Sequence, residues 1–233
     1  MVHQDTPDGA PEGSSPARGC LVVEDRPDTR AWLEGVVAEA FPGMAVVSAG
    51  SLRDARRILA GHAEAPAFAL ELVLLDLGLP DGSGVELVAE VARDYPDALP
   101  VVATIYDDDT HLFDSLAAGA QGYILKQEHP DTVADTLRRI DAGEPPLSPS
   151  IARRMLERLR PGAPRPAPDD AGLSARETEV LSLIGRGLSS PEAARVIGLK
   201  PQTVAGYVKV IYQKLHITSR AEAALAAAER GLT

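Results

Sequence analysis

The chain has 233 residues, of which 45% are hydrophobic and 4% aromatic, and its formal net charge is −11 at pH 7. This length fits one large domain or two ordinary ones with an apolar core. No apolar run approaches the roughly 18 residues that a transmembrane helix needs, and the N-terminus shows no basic segment followed by an apolar one, which is the pattern of a signal peptide. We therefore expect a cytoplasmic protein without a membrane segment, in which the single cysteine, Cys20, is a buried thiol.

Charge is divided unevenly along the chain. Residues 171–233 contain eight Lys or Arg and five Glu, a net charge of +3, so the remainder carries −14. Three of the four lysines, Lys200, Lys209 and Lys214, lie in the last 34 residues. This asymmetry indicates an acidic domain joined to one that can approach a polyanion such as nucleic acid, although +3 is too small to decide this alone.

The first half of the chain has the pattern of an α/β domain. Residues 1–19 are rich in Pro, Gly, Ser and Asp and are predicted to form a disordered tail. After them, five apolar runs alternate with five helical patterns. The runs span residues 20–23, 44–47, 70–75, 99–103 and 122–125, and the helical patterns span about 27–40, 51–62, 83–94, 109–118 and 130–142. Such alternation predicts a doubly wound domain around a five-stranded parallel sheet over residues 20–142.

Chemically active side chains follow these runs, at the sheet edge where ligands of open parallel sheets bind. They are Glu24, Asp25, Asp76, Thr104 and Lys126. Clustered carboxylates repel one another unless a cation lies among them, and hard oxygen ligands with open water positions suit Mg²⁺. An aspartate in such a site can act as a nucleophile that accepts a phosphoryl group, and a nearby lysine can pair with that group. The alternative interpretation is a buried ion-pair network between Lys126 and the acids.

Residues 20–142 resemble the receiver domain of response regulators. The resemblance rests on the acidic pair Glu24-Asp25, the stretch DLGLPDGSG from Asp76, Thr104 at a strand end, and the stretch GYILK from Gly122 to Lys126. It implies that Asp76 is the phosphoacceptor. It also implies that Mg²⁺ is bound by Asp25, Asp76 and the carbonyl of Gly78, with Glu24 assisting through water.

The same resemblance assigns three further roles. Thr104 is expected to hydrogen-bond the phosphoryl group, Lys126 to pair with it, and Tyr123 to act as the switch aromatic. Two positions depart from the family pattern. Residue 105 is Ile where the family usually has a small side chain, which narrows access to Asp76, and Gln127 replaces the proline of the Lys-Pro dipeptide found in many receivers.

Seven prolines interrupt residues 141–172, and we predict a linker over residues 143–172 that contains a short amphipathic helix at about 150–160. Residues 173–233 are predicted to be helical throughout, in four helices. The second helix is short, a glycine-containing turn follows near Gly198, and the third helix runs from Gln202 to about Leu215. A short helix, a tight turn and a longer helix form the helix-turn-helix pattern.

Residues 173–233 resemble a LuxR-type helix-turn-helix domain, so the whole chain resembles a NarL/FixJ-type response regulator. The motifs that carry the resemblance are LSxRExEVL from Leu173, GLS from Gly187, EAA from Glu192, Thr203-Val204, Lys214-Leu215 and SRAEA from Ser219. The recognition helix departs from the family, since Ala205-Gly206-Tyr207 stands where Lys-Asn-His is common. Gly206 alone costs helix stability by about 1 kcal/mol relative to Ala.

The polar residues of this region suit DNA binding. Lysines and hydroxyls anchor phosphates, and Ala205 can touch a thymine methyl in the major groove. The candidate DNA-binding residues are Lys200, Gln202, Thr203, Ala205, Gly206, Lys209, Lys214 and Arg220. The alternative for this helix face is a solvated or protein-binding surface.

The resemblance implies a two-component transcription regulator rather than an enzyme. A sensor histidine kinase would phosphorylate Asp76 with Mg²⁺, and a homodimer, paired through the alanine-rich face of residues 221–228, would then bind double-stranded promoter DNA. One alternative is a regulator of the same fold that works independently of phosphorylation, through a ligand or a protein. A phosphatase-like enzyme using Asp76 is disfavoured, because residue 78 is Gly rather than a second acid.

Overall fold

The computed structural model describes residues 17–158 and 172–232. The predicted disordered tail lies outside the described residues except for residues 17–19, and the first strand already begins at Arg18. Residues 159–171 of the predicted linker also lie outside. No helix in the described part of the chain is long and apolar enough to span a membrane.

The predicted doubly wound α/β fold is confirmed, with strands and helices alternating along residues 18–142. The elements are β1 (Arg18–Val23), α1 (Pro27–Ala40), β2 (Ala45–Ala49), α2 (Leu52–Glu64), β3 (Ala69–Leu75), β4 (Gly78–Leu79), β5 (Gly82–Ser83), α3 (Gly84–Asp94), β6 (Leu99–Thr104), α4 (Asp109–Ala117), β7 (Gly122–Leu125), α5 (Pro130–Arg138) and a 3₁₀ turn (Arg139–Ala142). The main sheet has the strand order β2-β1-β3-β6-β7, with all four pairings parallel. The small β4-β5 hairpin was not predicted.

β3 lies at the centre of the sheet because its sequence is apolar on both faces. Leu72 and Leu74 pack into the core between the sheet and α1 and α5, whereas Val73 and Leu75 pack into the core on the opposite face. Alternate side chains of a strand point to opposite faces, so a continuous apolar run is stable only where both faces are covered. This burial fixes the register that carries Asp76 to the edge of the sheet.

The C-terminal region is helical, as predicted. It contains α6 (Pro149–Arg158), α7 (Ala175–Gly185), α8 (Ser190–Ile197), α9 (Pro201–Leu215) and α10 (Arg220–Glu229). α8 and α9 form the predicted helix-turn-helix, with Gly198 between them at a φ of +70°. This positive φ is a conformation that glycine adopts without a steric penalty.

The alanine-rich face of α10 is largely buried within its own domain. Ala223, Ala226 and Ala227 are buried, and α10 packs against α7. These three alanines pack inside the domain, so the dimer contact predicted over residues 221–228 stays a prediction for the exposed residues of that stretch, such as Ala221 and Ala228. Leu225 projects elsewhere and is 61% exposed.

Candidate phosphorylation site and recognition helix

Three carboxylates meet where β1 and β3 end. Val23 is paired with Leu75 in the parallel ladder, so the residues that follow these strands are neighbours. Glu24, Asp25 and Asp76 each offer a carboxylate oxygen within 4.8 Å of the others. Glu24 and Asp76 are only 1% and 7% exposed, so their charges need a partner that replaces water.

Lys126 provides one such partner from the end of β7. Its Nζ lies 3.1 Å from Asp76 Oδ2 and also contacts Glu24 Oε2. Burial raises the pKa of Glu24, the ammonium of Lys126 opposes that rise, and the neighbouring charge of Asp76 adds to it. Both interpretations of the sequence, a buried ion-pair network and a phosphoryl-transfer site, place Lys126 against Glu24 and Asp76. The contact of Lys126 with the two acids therefore agrees with either one.

Thr104 and Tyr123 are both buried and both contact Tyr106. The Tyr123 hydroxyl donates a hydrogen bond to the Tyr106 carbonyl at 2.8 Å, and the Thr104 hydroxyl accepts one from the Tyr106 amide at 3.5 Å. Burial raises the pKa of Tyr123 well above its usual range, so its hydroxyl remains a donor. Thr104 and the predicted switch aromatic Tyr123 are thus connected through Tyr106, a residue that the sequence motifs did not single out.

The helix α9 lies directly on this edge of the sheet. Lys209 Nζ is 2.6 Å from Asp25 Oδ2 and 2.8 Å from the carbonyl oxygen of Gly78. One turn further along, Gln213 Nε2 donates to the Leu79 carbonyl at 3.1 Å. The recognition helix of the helix-turn-helix therefore contacts the loop after β3, within the acidic cluster.

Two of the departures from the family pattern, Ile105 and Gly206, are in contact with each other. A Cβ atom added to Gly206 would overlap Ile105 Cδ1. The hydroxyl of Tyr106 donates to the Gly206 carbonyl at 3.1 Å. The third departure is part of the same contact, because Gln127 Nε2 donates to the Ile105 carbonyl at 2.8 Å and lies 3.5 Å from Thr203 Oγ1.

An aromatic cluster extends this contact toward α4. The ring of Tyr106 stacks on His111 with centroids 4.3 Å apart and meets Tyr207 edge-on at 5.1 Å. The Tyr207 hydroxyl lies 3.1 Å from Asp108 Oδ2. Burial raises the pKa of Tyr207 above its usual range, and the negative charges of Asp108 and Asp107 raise it further. Tyr207 therefore reaches the receiver side as a neutral hydrogen-bond donor.

His111 links Asp108 to the start of α7. Its Nδ1 is 2.7 Å from Asp108 Oδ2, and its Nε2 is 3.7 Å from Glu177 Oε1. Glu177 is fully buried, and its other oxygen accepts from the Ser174 amide at 2.6 Å and from Lys214 Nζ at 2.8 Å. Burial alone would raise the pKa of Asp108, but its hydrogen bonds and the charge of His111 outweigh burial and lower it.

The candidate DNA-binding residues are divided among different surroundings. Thr203, Gly206 and Lys209 face the receiver side, and Lys214 pairs with Glu177. Arg220 donates to the carbonyl of Leu188. The remaining three, Lys200, Gln202 and Ala205, are exposed.

A cavity of about 420 Å³ lies between the two halves of the molecule and reaches Asp76. Trp32 and Lys126 line it from one side, and Lys200 and Gln202 line it from the other. Ile105 also lines this cavity, but its Cδ1 is in contact with Gly206. Ile105 was expected to narrow access to Asp76. The cavity nevertheless reaches Asp76 past the Ile105 side chain.

Comparison with known proteins identifies both halves. Residues 20–138 match the model of the response regulator receiver domain, and residues 171–227 match that of bacterial regulatory proteins of the luxR family. The chain belongs to the response regulators with a LuxR-type DNA-binding domain. It is a two-component regulator in which a receiver domain controls DNA binding.

Relatives of this response regulator match along nearly its whole length. It is 31% identical to the DNA-binding transcriptional activator DevR/DosR of Mycobacterium tuberculosis, over 90% of this chain and 93% of that one. It is 29% identical to the transcriptional regulatory protein LiaR of Bacillus subtilis, over 88% of this chain and 94% of that one. The fold also resembles that of the response regulator RcsB of Salmonella typhimurium, with a TM-score of 0.51, 20% identity, and coverage of 91% and 99% of the two chains.

Proposed function

We propose that this response regulator accepts a phosphoryl group on Asp76 from a sensor histidine kinase in a Mg²⁺-dependent reaction. The observation that carries the proposal is the convergence of three carboxylates and Lys126 at one edge of the sheet. Oxygen donors of this kind suit Mg²⁺. The presence of the Lys209 ammonium on Asp25 and the Gly78 carbonyl also indicates that these oxygens accept a cation.

The residues of the cluster have distinct roles in this proposal. Asp25, Asp76 and the Gly78 carbonyl would hold Mg²⁺, with Glu24 acting through water. The bound ion supplies charge neutralisation for the phosphoryl group. A carboxylate oxygen of Asp76 attacks the phosphorus, and the bond from phosphorus to the donor's imidazole nitrogen breaks, so the electron pair stays with the nitrogen.

Lys126 and Thr104 then stabilise the product. Lys126 already lies 3.1 Å from Asp76 Oδ2, so its ammonium can pair with a phosphoryl oxygen after transfer. The Thr104 hydroxyl would donate to another phosphoryl oxygen, and a shift of Thr104 toward that oxygen would break the long 3.5 Å hydrogen bond that it accepts from the Tyr106 amide. Since Tyr106 also bonds Tyr123 and Gly206, the change at Thr104 has a physical route to α9.

We propose that phosphorylation releases α9 for double-stranded promoter DNA, which a homodimer binds through Lys200, Gln202, Thr203, Ala205, Gly206, Lys209, Lys214 and Arg220. Thr203, Gly206 and Lys209 contact the receiver side in the docked molecule, so docking and DNA binding compete for them. The name of the 31% identical relative, a DNA-binding transcriptional activator, supports this output. The same proposal includes the domain limits: a receiver at residues 20–142, a linker at 143–172 and a DNA-binding domain at 173–233.

Phosphorylation is tested by the intact mass of the purified chain after incubation with Mg²⁺ and a small-molecule phosphodonor such as acetyl phosphate. We expect the mass of one phosphoryl group on the wild type and on Asp97→Ala, which alters an exposed aspartate between α3 and β6. No adduct is expected on Asp76→Ala. An adduct on Asp76→Ala would refute the assignment of the phosphoacceptor, and no adduct on the wild type would favour regulation independent of phosphorylation.

A further inference from the structure

We propose that the Lys209 ammonium takes the place of the metal ion when α9 is docked, so that Mg²⁺ and the recognition helix exclude each other at the Asp76 site. This inference rests on the proposed Mg²⁺ site of the receiver. It adds that a residue of the DNA-binding domain is itself a competing occupant of that site.

The competition follows from shared ligand atoms. Lys209 Nζ lies at hydrogen-bond distance from Asp25 Oδ2 and from the Gly78 carbonyl, at 2.6 and 2.8 Å. These are two of the protein oxygens assigned to Mg²⁺. An ammonium and a metal ion cannot both lie on the same two oxygens, because they would occupy one position and their like charges would repel in a partly buried site. Each cation therefore has to leave before the other can bind.

Charge balance supports the same conclusion. The cluster contains the three carboxylates Glu24, Asp25 and Asp76, while Lys126 supplies one positive charge. Lys209 supplies a second positive charge in the docked molecule. If Mg²⁺ replaced Lys209, the positive charges would equal the three negative ones. The ammonium is thus a weaker substitute for the ion, and its side chain is 36% exposed, so it can withdraw into solvent.

Among the described residues, the other hydrogen bonds between α9 and the receiver side use none of the oxygens assigned to Mg²⁺. Tyr106 bonds the Gly206 carbonyl, and Tyr207 lies near Asp108, on the side of α9 that faces α4. A variant without the Lys209 charge can therefore still dock. In that variant the oxygens assigned to Mg²⁺ stay in place, but no ammonium competes for them. The effect of Lys209 on Mg²⁺ affinity can thus be separated from the effect of docking as a whole.

Thermodynamic linkage makes the competition reciprocal, because a ligand that binds one state better shifts the population toward that state. Lys209 lowers the apparent affinity for Mg²⁺, and Mg²⁺ lowers the fraction of molecules with α9 docked. Lys209 is also a candidate DNA contact. The ion would therefore begin to free the recognition helix before any phosphoryl group is transferred.

The first experiment measures Mg²⁺ affinity calorimetrically on the full chain. Lys209→Met keeps the length and apolar stem of the side chain and removes its charge, so we expect Mg²⁺ to bind at least about fivefold more tightly than to the wild type, within the usual range of coupling between sites. Lys209→Arg, which restores a cation, should return the affinity toward that of the wild type. The matched control is Arg195→Met, which removes one positive charge from an exposed position on α8 and should leave the affinity unchanged.

The second experiment needs no variant and therefore does not depend on the folding of Lys209→Met. In the wild type, Mg²⁺ without a phosphodonor should increase amide hydrogen exchange in residues 201–215. Unchanged exchange at saturating Mg²⁺, or equal Mg²⁺ affinity of wild type and Lys209→Met, would overturn the role of Lys209. If both proteins bind Mg²⁺ equally and become phosphorylated, the proposed function still stands. If neither binds Mg²⁺, the proposed phosphorylation chemistry fails together with the inference.

Discussion

At the scale of single residues, the departures from the family pattern at positions 105 and 206 explain each other. Ile105 is larger than the side chain usually found there, and Gly206 is smaller than the Asn that is common in the recognition helix. Ile105 Cδ1 lies in the space that a Cβ on Gly206 would occupy. Gly206 gives up a side chain that could contact DNA, and Ile105 of the receiver fills the space that this side chain would need.

Gly206→Ala should weaken docking of α9, even though alanine favours the helix by about 1 kcal/mol over glycine. The added methyl overlaps Ile105, whereas the double variant Gly206→Ala/Ile105→Ala removes the overlap and should restore docking. The radius of gyration from small-angle X-ray scattering measures the change, and DNA affinity of the unphosphorylated protein should rise with it. Identical scattering and DNA affinity for the wild type and Gly206→Ala would contradict this steric role.

Cys20 should make the receiver less stable at alkaline pH. Burial raises the pKa of its thiol to about 12, above the ordinary value of about 8.5. The unfolded chain therefore loses this proton first, and the contribution of Cys20 to the free energy of unfolding declines as the pH rises from about 9 toward 12.

Urea unfolding of the wild type and of Cys20→Ala at several pH values isolates this contribution, because tyrosines with raised pKa titrate in both proteins. The decline between pH 7 and pH 10 should be steeper for the wild type. Parallel pH profiles for the two proteins would rule out the thiol as the cause.

At the scale of elements, the sequence predicted what depends on local pattern. The apolar run before Asp76 predicted a strand buried on both faces, and Val73 and Leu74 are fully buried in β3. Register then follows from that burial, so the convergence of Asp25 and Asp76 was predictable as well. The β4-β5 hairpin was not, because strands of two residues are too short to show a period.

The contacts of α9 were beyond sequence reasoning for a different physical reason. Lys209 and Asp25 are 184 positions apart, and nothing in either local pattern selects the other as a partner. Lys209 could be recognised as a cation on a recognition helix, and hence as a candidate DNA contact. Its place on the receiver depends on how the two halves pack. Tyr106 and His111 were missed for the same reason, since their roles arise from stacking between elements.

At the scale of the whole molecule, the uneven distribution of charge along the chain affects DNA binding. The region with net charge +3 docks its recognition helix on the part of the chain that carries −14. In the proposed mode of DNA binding, the acidic receiver covers Thr203, Gly206 and Lys209 of α9, and its own negative charge repels the DNA phosphates. Docking therefore opposes DNA binding both sterically and electrostatically.

The phosphorylated protein should bind DNA with an affinity that falls as the salt concentration rises, since each lysine on a phosphate releases counterions. Lys200→Ala, at an exposed candidate contact, should reduce the slope of log K against log salt by about one. Fluorescence anisotropy with labelled promoter DNA measures this slope, and Ala205→Ser, which leaves the charge unchanged, is the control. An unchanged slope for Lys200→Ala would remove that residue from the phosphate contacts.

The fit of Ile105 to Gly206 also limits how freely the two domains can be recombined. A receiver that opposed DNA binding only through charge would act equally on a foreign DNA-binding domain with lysines on its recognition helix. Because a Cβ on residue 206 would overlap Ile105, we expect docking on this receiver to need a glycine at that position. We expect a chimera that joins this receiver to a recognition helix with asparagine there to lose the docked arrangement and to bind its promoter without phosphorylation. Each domain can thus be exchanged as a folded unit, whereas regulation by docking depends on residues 105 and 206 being kept together.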